Sequence, residues 1–204
     1  MDYLTKDETL GLFEAAKAKG PRELLLCHLL VFHGLRISEA LTLTVDQVRS
    51  GFLSVQRLKG SGHSRQPLHK HEDELLDETR SLAAYLAVRG DADGSRVLLI
   101  SRKGSGLTRQ QGHKLFRDIA LQAGIEEGRA NPRVGKHTCA SLLLRSGATL
   151  PFLQRYLAHK DAKSTMAYLG VSESEANKEA GATFAKVFAT PATISVVPSA
   201  TAAA

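Results

Sequence analysis

The first thirty residues show the apolar spacing of two α-helices joined at a tight break. Thr5 and Glu8 form the signature of a capping box, and helical spacing continues behind them until Gly20 and Pro21 end the helix. Residues 24–32 are apolar nearly all round, a pattern typical of a helix at the centre of a helical domain. A polar residue just after that helix is therefore placed by a rigid element.

The pattern then changes to a period of two. Residues 52–57 alternate in strand fashion, Gly60-Ser61-Gly62 turn the chain, and residues 63–68 return as an antiparallel partner, with Lys59 at the hairpin tip. Further on, the spacing predicts a short strand over residues 96–101 and helices over 71–88, 108–123, 134–146, 150–159, 162–168 and 173–188. The sequence thus predicts a mainly α fold with one small antiparallel β-sheet.

We expect these elements to form a single domain over residues 1–189. After Thr190 the sequence is small and uncharged and contains two prolines. Such a composition cannot bury enough apolar surface to order itself, and it favours a flexible tail over residues 190–204.

Composition narrows the class of partner only slightly. The 204 residues include 27 Lys and Arg against 21 Asp and Glu, which gives a formal net charge of +6 and a pI of about 9.4. A basic balance favours a polyanionic partner without requiring one.

Cysteine and histidine usage argues against metal or disulfide chemistry. Cys27 and Cys139 lie in apolar runs and are predicted to be small core residues in a reducing compartment. His69 and His71 do not share a helix face and lack a suitably spaced acidic or cysteine partner, so we expect no metal site. No signal peptide or membrane-spanning run is found in the sequence, which favours a cytoplasmic protein without a membrane partner.

Three residues of chemical interest have ordinary structural explanations when each is taken alone. Arg36 can pair with Glu39, three positions on, in a surface ion pair of small value. Tyr168 lies in a short apolar helix, where a tyrosine usually packs. His159 ends an apolar helix, whose carbonyl groups it can cap.

Taken together, the motifs resemble the tyrosine recombinase (integrase) family. The catalytic domain of that family reads Gly-Leu-Arg-x-x-Glu-Leu, then His-x-x-Arg-His-Thr, then Leu-Gly-His, with a tyrosine nine positions after the last histidine. The counterparts in this chain are Gly34-Leu35-Arg36, His137-Thr138, Leu157-Ala158-His159 and Tyr168. The resemblance covers about residues 3–188 and, in size and in the segment 99–111, it is strongest to the small fimbrial phase-switch invertases.

The resemblance implies an enzyme that cleaves and rejoins DNA through a 3′-phosphotyrosine intermediate, in inversion, integration or resolution. Tyr168 is then the nucleophile, and Arg36 and His159 bind the oxygens of the phosphate. Arg57-Leu58-Lys59-Gly60 resembles the family's catalytic hairpin, in which the lysine protonates the leaving 5′-oxygen. No metal, ATP or other cofactor is implied.

The family also implies double-stranded DNA as partner, with a dimer on one site and a tetramer in synapsis, acting at the nucleoid. The helix predicted from about Ser172 to Phe188 packs either on a neighbouring protomer or within its own chain. Contacts with the DNA backbone are expected from the hairpin and from a basic group near residue 108, which can equally be a solvated face: Arg57, Arg65, Arg102, Lys103, Arg109 and Lys114.

Two positions depart from the family pattern. His-x-x-Arg falls on Arg133-Val134-Gly135-Lys136, so both catalytic positions are altered. Lys136 keeps the positive charge without the bidentate fork, and Arg133 can bind phosphate but cannot accept a proton. The chain is then a natural variant, a form substituted to slow the reaction, or a silent DNA-binding relative. A helical protein-interaction domain with accidental matches is a further alternative.

The departure at residue 133 generates a test of the alignment. We expect Arg133→His to raise DNA cleavage, because an imidazole can position or deprotonate the tyrosine and a guanidinium cannot. The measurement is the yield of covalent protein–DNA adduct on a cognate site. No gain in adduct would contradict this role for residue 133.

Overall fold

Seven α-helices and a two-stranded sheet build the part of the chain that the computed structural model describes, residues 3–48, 50–57, 62–90 and 96–158. The prediction of a mainly α fold with one small antiparallel sheet is confirmed. In chain order the elements are α1 (Lys6–Lys19), α2 (Pro21–Val31), α3 (Ile37–Thr42), a 3-10 turn (Val45–Val48), β1 (Phe52–Gln56), β2 (His63–Pro67), α4 (Glu78–Arg89), α5 (Arg109–Gln122), a second 3-10 turn (Glu127–Arg129), α6 (Arg133–Arg145) and α7 (Leu150–Tyr156).

The central helix is α2, as its apolar pattern predicted. Pro21 begins it, at a position where the missing N–H has no partner to lose, and every residue from Glu23 to Val31 is buried. Helices α1, α4 and α6 all pack against it. The end of α2 therefore gives a fixed starting point to the segment that follows.

The hairpin has one buried face of mixed character. Leu53 and Val55 of β1 are buried, and they stand opposite Gln66 and Ser64 of β2, which are buried too. Buried polar side chains need hydrogen-bond partners, and those of β2 find theirs beside the candidate site. Lys59 falls in residues 58–61, between the two strands in sequence, and lies outside the described residues.

The helix predicted over residues 71–88 begins only at Glu78. Asp77 caps it, because its carboxylate accepts a hydrogen bond from the Arg80 N–H at 3.0 Å. Ahead of the cap the chain turns, and the Leu76 N–H donates to the Asp73 carbonyl at 3.0 Å. The predicted start was wrong because a local cap outweighed the helical spacing of the acidic segment before it.

The strand predicted over residues 96–101 does not form. Val97 makes an isolated bridge to Thr44, and Ile100 makes another to Gly106. Because the two bridges have different partners, no ladder of consecutive pairs develops. The apolar run was still informative, since Leu98 is fully buried.

Both cysteines are buried and free, as predicted. Burial raises the pKa of the Cys139 thiol to about 12, which leaves it protonated and unreactive. Within the described ranges, no helix is long and apolar enough to cross a membrane. The helices predicted over 162–168 and 173–188, and the tail over 190–204, lie outside the described residues, so the domain limits stay a prediction.

A forked ion pair joins the start of α1 to the turn before α6. Arg129 donates from Nη1 to Glu8 Oε2 at 3.0 Å and from Nη2 to Glu8 Oε1 at 2.6 Å. The same carboxylate accepts the Thr5 N–H at 2.8 Å and completes the predicted capping box. The hydrogen bonds from Arg129 hold the pKa of Glu8 at about 2, although partial burial acts in the opposite direction.

Acid should weaken this ion pair over a defined range of pH. The folded-state pKa of about 2 lies below the ordinary value of 4.5, so its stabilisation is complete above pH 4.5 and is lost as the pH falls toward 2. We expect Glu8→Gln to lower the free energy of unfolding by about 1 kcal/mol at pH 7 and by less at pH 2.5. Urea titrations measure both, with exposed Glu14→Gln as the control. A loss that is the same at both pH values would contradict this account.

Candidate functional site

A basic cleft of about 500 Å³ opens where the segment before α3 meets α5 and α6. The described residues that line it include no aspartate or glutamate. Such a concentration of positive charge attracts an anion. The charged and titratable residues of the lining are Arg36, Arg109, His113, Arg133, Lys136 and His137.

Arg36 reaches the cleft from the loop between α2 and α3. Its backbone N–H donates to Glu39 Oε2 at 2.8 Å, and its Nη1 donates to Glu39 Oε1 at 2.9 Å. The Glu39 side chain is fully buried, whereas that of Arg36 is 38% exposed. The local pairing that the sequence offered as an alternative therefore exists, and it holds the guanidinium at the wall of the cleft.

Gly34 of the Gly-Leu-Arg motif packs against Leu157, the first residue of the Leu-Ala-His motif. Gly34 has a φ of 57°, and a Cβ at this position would lie only 2.4 Å from Leu157 Cδ2. Ala158, which stands where the resembling motif has glycine, has a φ of 49°, a left-handed conformation that costs an L-residue about 1 kcal/mol. His159 follows directly in sequence and lies outside the described residues.

Lys136 is the least satisfied group in the cleft. It follows Gly135, where a side chain would come within 2.9 Å of Leu30 Cβ, so α6 lies close against α2. Lys136 is 9% exposed, and its Nζ is buried without a hydrogen-bond partner among the described residues. Burial, together with the charges of Arg36 and Arg57, lowers the pKa of Lys136 to about 8. An ammonium in this position is destabilising until an anion joins it.

The first two turns of α6 bring Arg133 and His137 to the cleft as well. Arg133 is exposed and begins the helix, and its N–H donates to Asn131 Oδ1 at 3.1 Å. His137 is half-buried and lies one turn further on, next to Lys136. Arg133 and Lys136, at the altered positions of the His-x-x-Arg segment, therefore line the same cleft as Arg36.

The prediction that Arg57 contacts DNA is wrong. Its side chain is fully buried and lies 3.3 Å from Glu39 Oε2. The guanidinium also donates to the carbonyl oxygens of His33 (2.9 Å), Gly34 (3.4 Å) and Tyr156 (3.4 Å). Burial lowers the pKa of Arg57, while Glu39 acts to raise it. Arg57 is a structural cation that ties the hairpin to the loop carrying Arg36.

A buried polar network continues from Arg57 into the hairpin. Gln66 donates from Nε2 to the Tyr156 carbonyl at 2.6 Å, and its Oε1 lies 2.6 Å from His33 Nδ1. The other ring nitrogen of His33 lies 2.8 Å from both carboxylate oxygens of Glu78. The ring of His33 therefore lies between an amide oxygen and a carboxylate, both of which are hydrogen-bond acceptors. Burial alone would raise the pKa of Glu78, but His33, the His69 N–H and His28 together outweigh burial and leave that pKa lowered.

The sequence reasoning missed His113. The residue lies on α5 one helical turn after Arg109, and both line the cleft. Residues four apart share a helix face, so the prediction that Arg109 meets DNA carried a signal for His113 as well. A lone histidine in a basic helix gave no other indication.

The remaining predicted site residues are separate from the cleft or outside the described residues. Lys59, His159 and Tyr168 lie outside the described residues, so their roles stay predictions. No group of three or more possible metal ligands occurs within the described ranges. Four of the predicted DNA contacts are exposed and do not line the cleft: Arg65, Arg102, Lys103 and Lys114.

Comparisons with known proteins agree on one family. The model described as the phage integrase family matches residues 2–175. The type 1 fimbriae regulatory protein FimE of Escherichia coli strain K12 is 32% identical over 171 residues, which cover 81% of this chain and 84% of FimE. The tyrosine recombinase XerD of Mycobacterium leprae is 33% identical over 183 residues, which cover 81% of this chain and 55% of XerD. The chain thus spans about half the length of XerD.

Solved structures agree on the fold. The crystal structure of XerA recombinase matches with a TM-score of 0.75 and 24% identity, over 89% of this chain and 64% of XerA. The site-specific recombinase XerH, bound to its difH substrate in a pre-cleavage complex, matches with a TM-score of 0.73 and 21% identity, over 88% of this chain and 54% of XerH. The predicted fold of a tyrosine recombinase catalytic domain is confirmed.

The position of Arg57 generates a stability prediction. We expect Arg57→Met to lower the free energy of unfolding by about 3 kcal/mol, because it leaves buried carbonyl oxygens and part of the Glu39 charge without a partner. Arg65→Met is the matched control on the same hairpin. Its side chain is exposed and lies over the Phe52 ring at 3.9 Å, so its loss should cost less than about 1 kcal/mol. Equal and small losses in urea titrations would refute the structural role of Arg57.

Proposed function

The chain belongs to the phage integrase family, and we propose that it is a site-specific tyrosine recombinase, which cleaves and rejoins DNA through a 3′-phosphotyrosine intermediate. The observation that supports this most strongly is the unpartnered ammonium of Lys136 in a cleft lined by three arginines. Placing these cations together is unfavourable unless an anion with several acceptor oxygens lies between them. A phosphodiester meets that requirement.

The side chains of the cleft suit the binding step. Arg36 offers a planar fork to the nonbridging oxygens, and its contact with Glu39 fixes that fork before DNA arrives. Lys136 offers a point charge from α6, and exposed Arg133 on the same helix adds a guanidinium. Preorganised cations of this kind stabilise the negative charge that builds up on phosphorus during attack.

The covalent steps use residues that lie outside the described part of the chain. The phenol of Tyr168 attacks phosphorus and loses its proton, and the bond from phosphorus to the 5′-oxygen breaks. Lys59 gives a proton to that leaving oxygen, and His159 donates a hydrogen bond to the phosphate. The phosphotyrosine bond keeps the energy of the broken phosphodiester, so rejoining is the reverse attack by a 5′-hydroxyl and needs no added energy source.

A second candidate is a relative that binds DNA without cutting it. Arg133 supports this candidate, because a guanidinium in place of an imidazole cannot accept the proton of the tyrosine. The cations of the cleft would bind phosphate equally well in a silent protein. The two candidates therefore differ in covalent chemistry and not in affinity.

We propose double-stranded DNA in the cytoplasm as the partner, bound by a dimer on one site and by a tetramer in synapsis. DNA-bound relatives of the same fold, including a lambda integrase dimer on a core site and a tetramer on a Holliday junction, support this assembly. The candidate contacts with neighbouring phosphates are four exposed basic residues: Arg65, Arg102, Lys103 and Lys114.

The deciding experiment traps the covalent intermediate. A pool of nicked DNA duplexes with randomised half-sites is incubated with the chain, and the products are separated on a denaturing gel. We expect an adduct that is absent from Tyr168→Phe. Retention of DNA without an adduct would support the silent relative. No DNA affinity at moderate salt would refute both candidates.

The buried Lys136 ammonium should lower the free energy of unfolding of the free protein and strengthen its binding to DNA. We expect Lys136→Met to raise the free energy of unfolding by about 2 kcal/mol, because it removes a buried donor that lacks a partner. The same change should weaken DNA binding and reduce the Tyr168-dependent adduct. Because the pKa of Lys136 is about 8, the DNA affinity of the unsubstituted chain should fall between pH 7 and 9 as the lysine loses its charge. Lys136→Arg keeps its charge over this range, so its DNA affinity should not fall. Exposed Lys70→Met is the control, and a destabilised Lys136→Met would contradict this reasoning.

A further inference from the structure

The proposed attack by a tyrosine requires a group in the cleft that can accept the phenolic proton. A phenol has a pKa of about 10, so a tyrosine that attacks phosphorus at neutral pH must give its proton to a nearby acceptor. Arg36, Arg109 and Arg133 stay protonated and cannot receive it. Within the described lining of the cleft, the acceptors that remain are Lys136 and two histidines.

Lys136 is better suited to remain a cation. Its pKa of about 8 leaves most of the amine protonated at pH 7, and a phosphate bound beside it favours the charged form further. His137 already interacts with a neighbouring group of the fold. The remaining acceptor is His113.

His113 lines the cleft and has the protonation state that a proton acceptor needs. It is half-buried, lines the cleft from α5, and makes no ring hydrogen bond with any described residue. The helix is held firmly there, because Gly112 leaves room for Ile37 and Leu41 of α3 to pack against it. Burial and the charges of Arg109 and Arg133 lower the pKa of His113, so the imidazole is neutral at pH 7 and one ring nitrogen has a free lone pair.

We infer, on the basis of the proposed function, that His113 is the catalytic base that accepts the proton of the attacking tyrosine. A lone pair of the phenolic oxygen forms the new bond to phosphorus, and the O–H proton passes to the imidazole while the O–H electron pair stays on the oxygen. The bond from phosphorus to the 5′-oxygen breaks, and that oxygen takes a proton from Lys59. In rejoining, the imidazolium returns the proton to the departing phenolate. His113 thereby supplies the function that Arg133 cannot.

The charges around His113 couple this step to DNA binding. Arg109 lies on its own helix, Arg36 stands before α3, and Arg133, Lys136 and His137 face it from α6. Before DNA binds, the cations disfavour an imidazolium. A phosphate bound between them offsets their charge and makes His113 a stronger base. The base becomes effective only when its substrate is in place.

The test measures single-turnover adduct formation on the nicked duplex pool from pH 5 to 8. In the unsubstituted chain the rate should fall at acid pH, as His113 becomes protonated. His113→Gln should reduce the rate by about 100-fold, remove the acid dependence, and leave DNA affinity and the urea midpoint unchanged. Adding Arg133→His to the His113→Gln variant should raise its rate at least about tenfold, because the second change returns an imidazole to the cleft. His71→Gln, which alters an exposed histidine, is the matched control.

A substrate with sulfur in place of the bridging 5′-oxygen separates base from acid, since a thiolate leaves without a proton. With that substrate, the rate of adduct formation should recover in Lys59→Ala and should stay low in His113→Gln. Suppose that the unsubstituted chain forms the Tyr168-dependent adduct. The role of His113 is then refuted if His113→Gln keeps the rate and its acid dependence, or if the sulfur substrate restores the rate of His113→Gln. In either case the proposed recombinase function is unaffected. If no adduct forms at all, the proposed function fails and takes this inference with it.

Discussion

The buried carboxylate of Glu39 is the group around which the basic cleft is organised. It accepts hydrogen bonds from Arg36, which faces the cleft, and from Arg57, which is enclosed behind it. The second guanidinium then reaches the carbonyl oxygens at the ends of α2 and α7. A single acid thus joins the hairpin, the central helix and the loop of the Gly-Leu-Arg motif, so displacement of one would disturb all three.

One carboxylate cannot neutralise the positive charge gathered here. Glu39 faces two guanidinium groups, and Lys136 lies close enough for both of them to lower its pKa. Charge repulsion and lost hydration both oppose folding at such a place. The residual charge is directed into an open cleft and not into the core, which is the arrangement expected when an anion completes the site. Stability and binding therefore make opposite demands on Lys136.

Local interactions made much of the fold readable from the sequence. Each capping box joins residues only three positions apart: the box predicted at Thr5 forms, and a second begins α5 at Thr108. Helix α2 has apolar residues on nearly all of its faces, and this sequence pattern by itself indicates a buried helix. The strand expected near Val97 failed for the opposite reason, because pairing depends on partners that the spacing does not show: Val97 bridges to distant Thr44 and Ile100 bridges to Gly106, and these two partners do not lie on a common strand.

By itself the sequence determined the family, through its motifs, and selected Arg36, Arg133 and Lys136 as candidate site residues, all three of which line the cleft. Only the tertiary structure decided which cations face solvent. Arg57 is a basic residue on the predicted hairpin and was expected to contact DNA, but its side chain is buried. His113 was not predicted from the sequence, but it lines the cleft. The physical reason is that burial and pKa depend on neighbours brought together from distant parts of the chain, and these leave no periodic trace in the sequence.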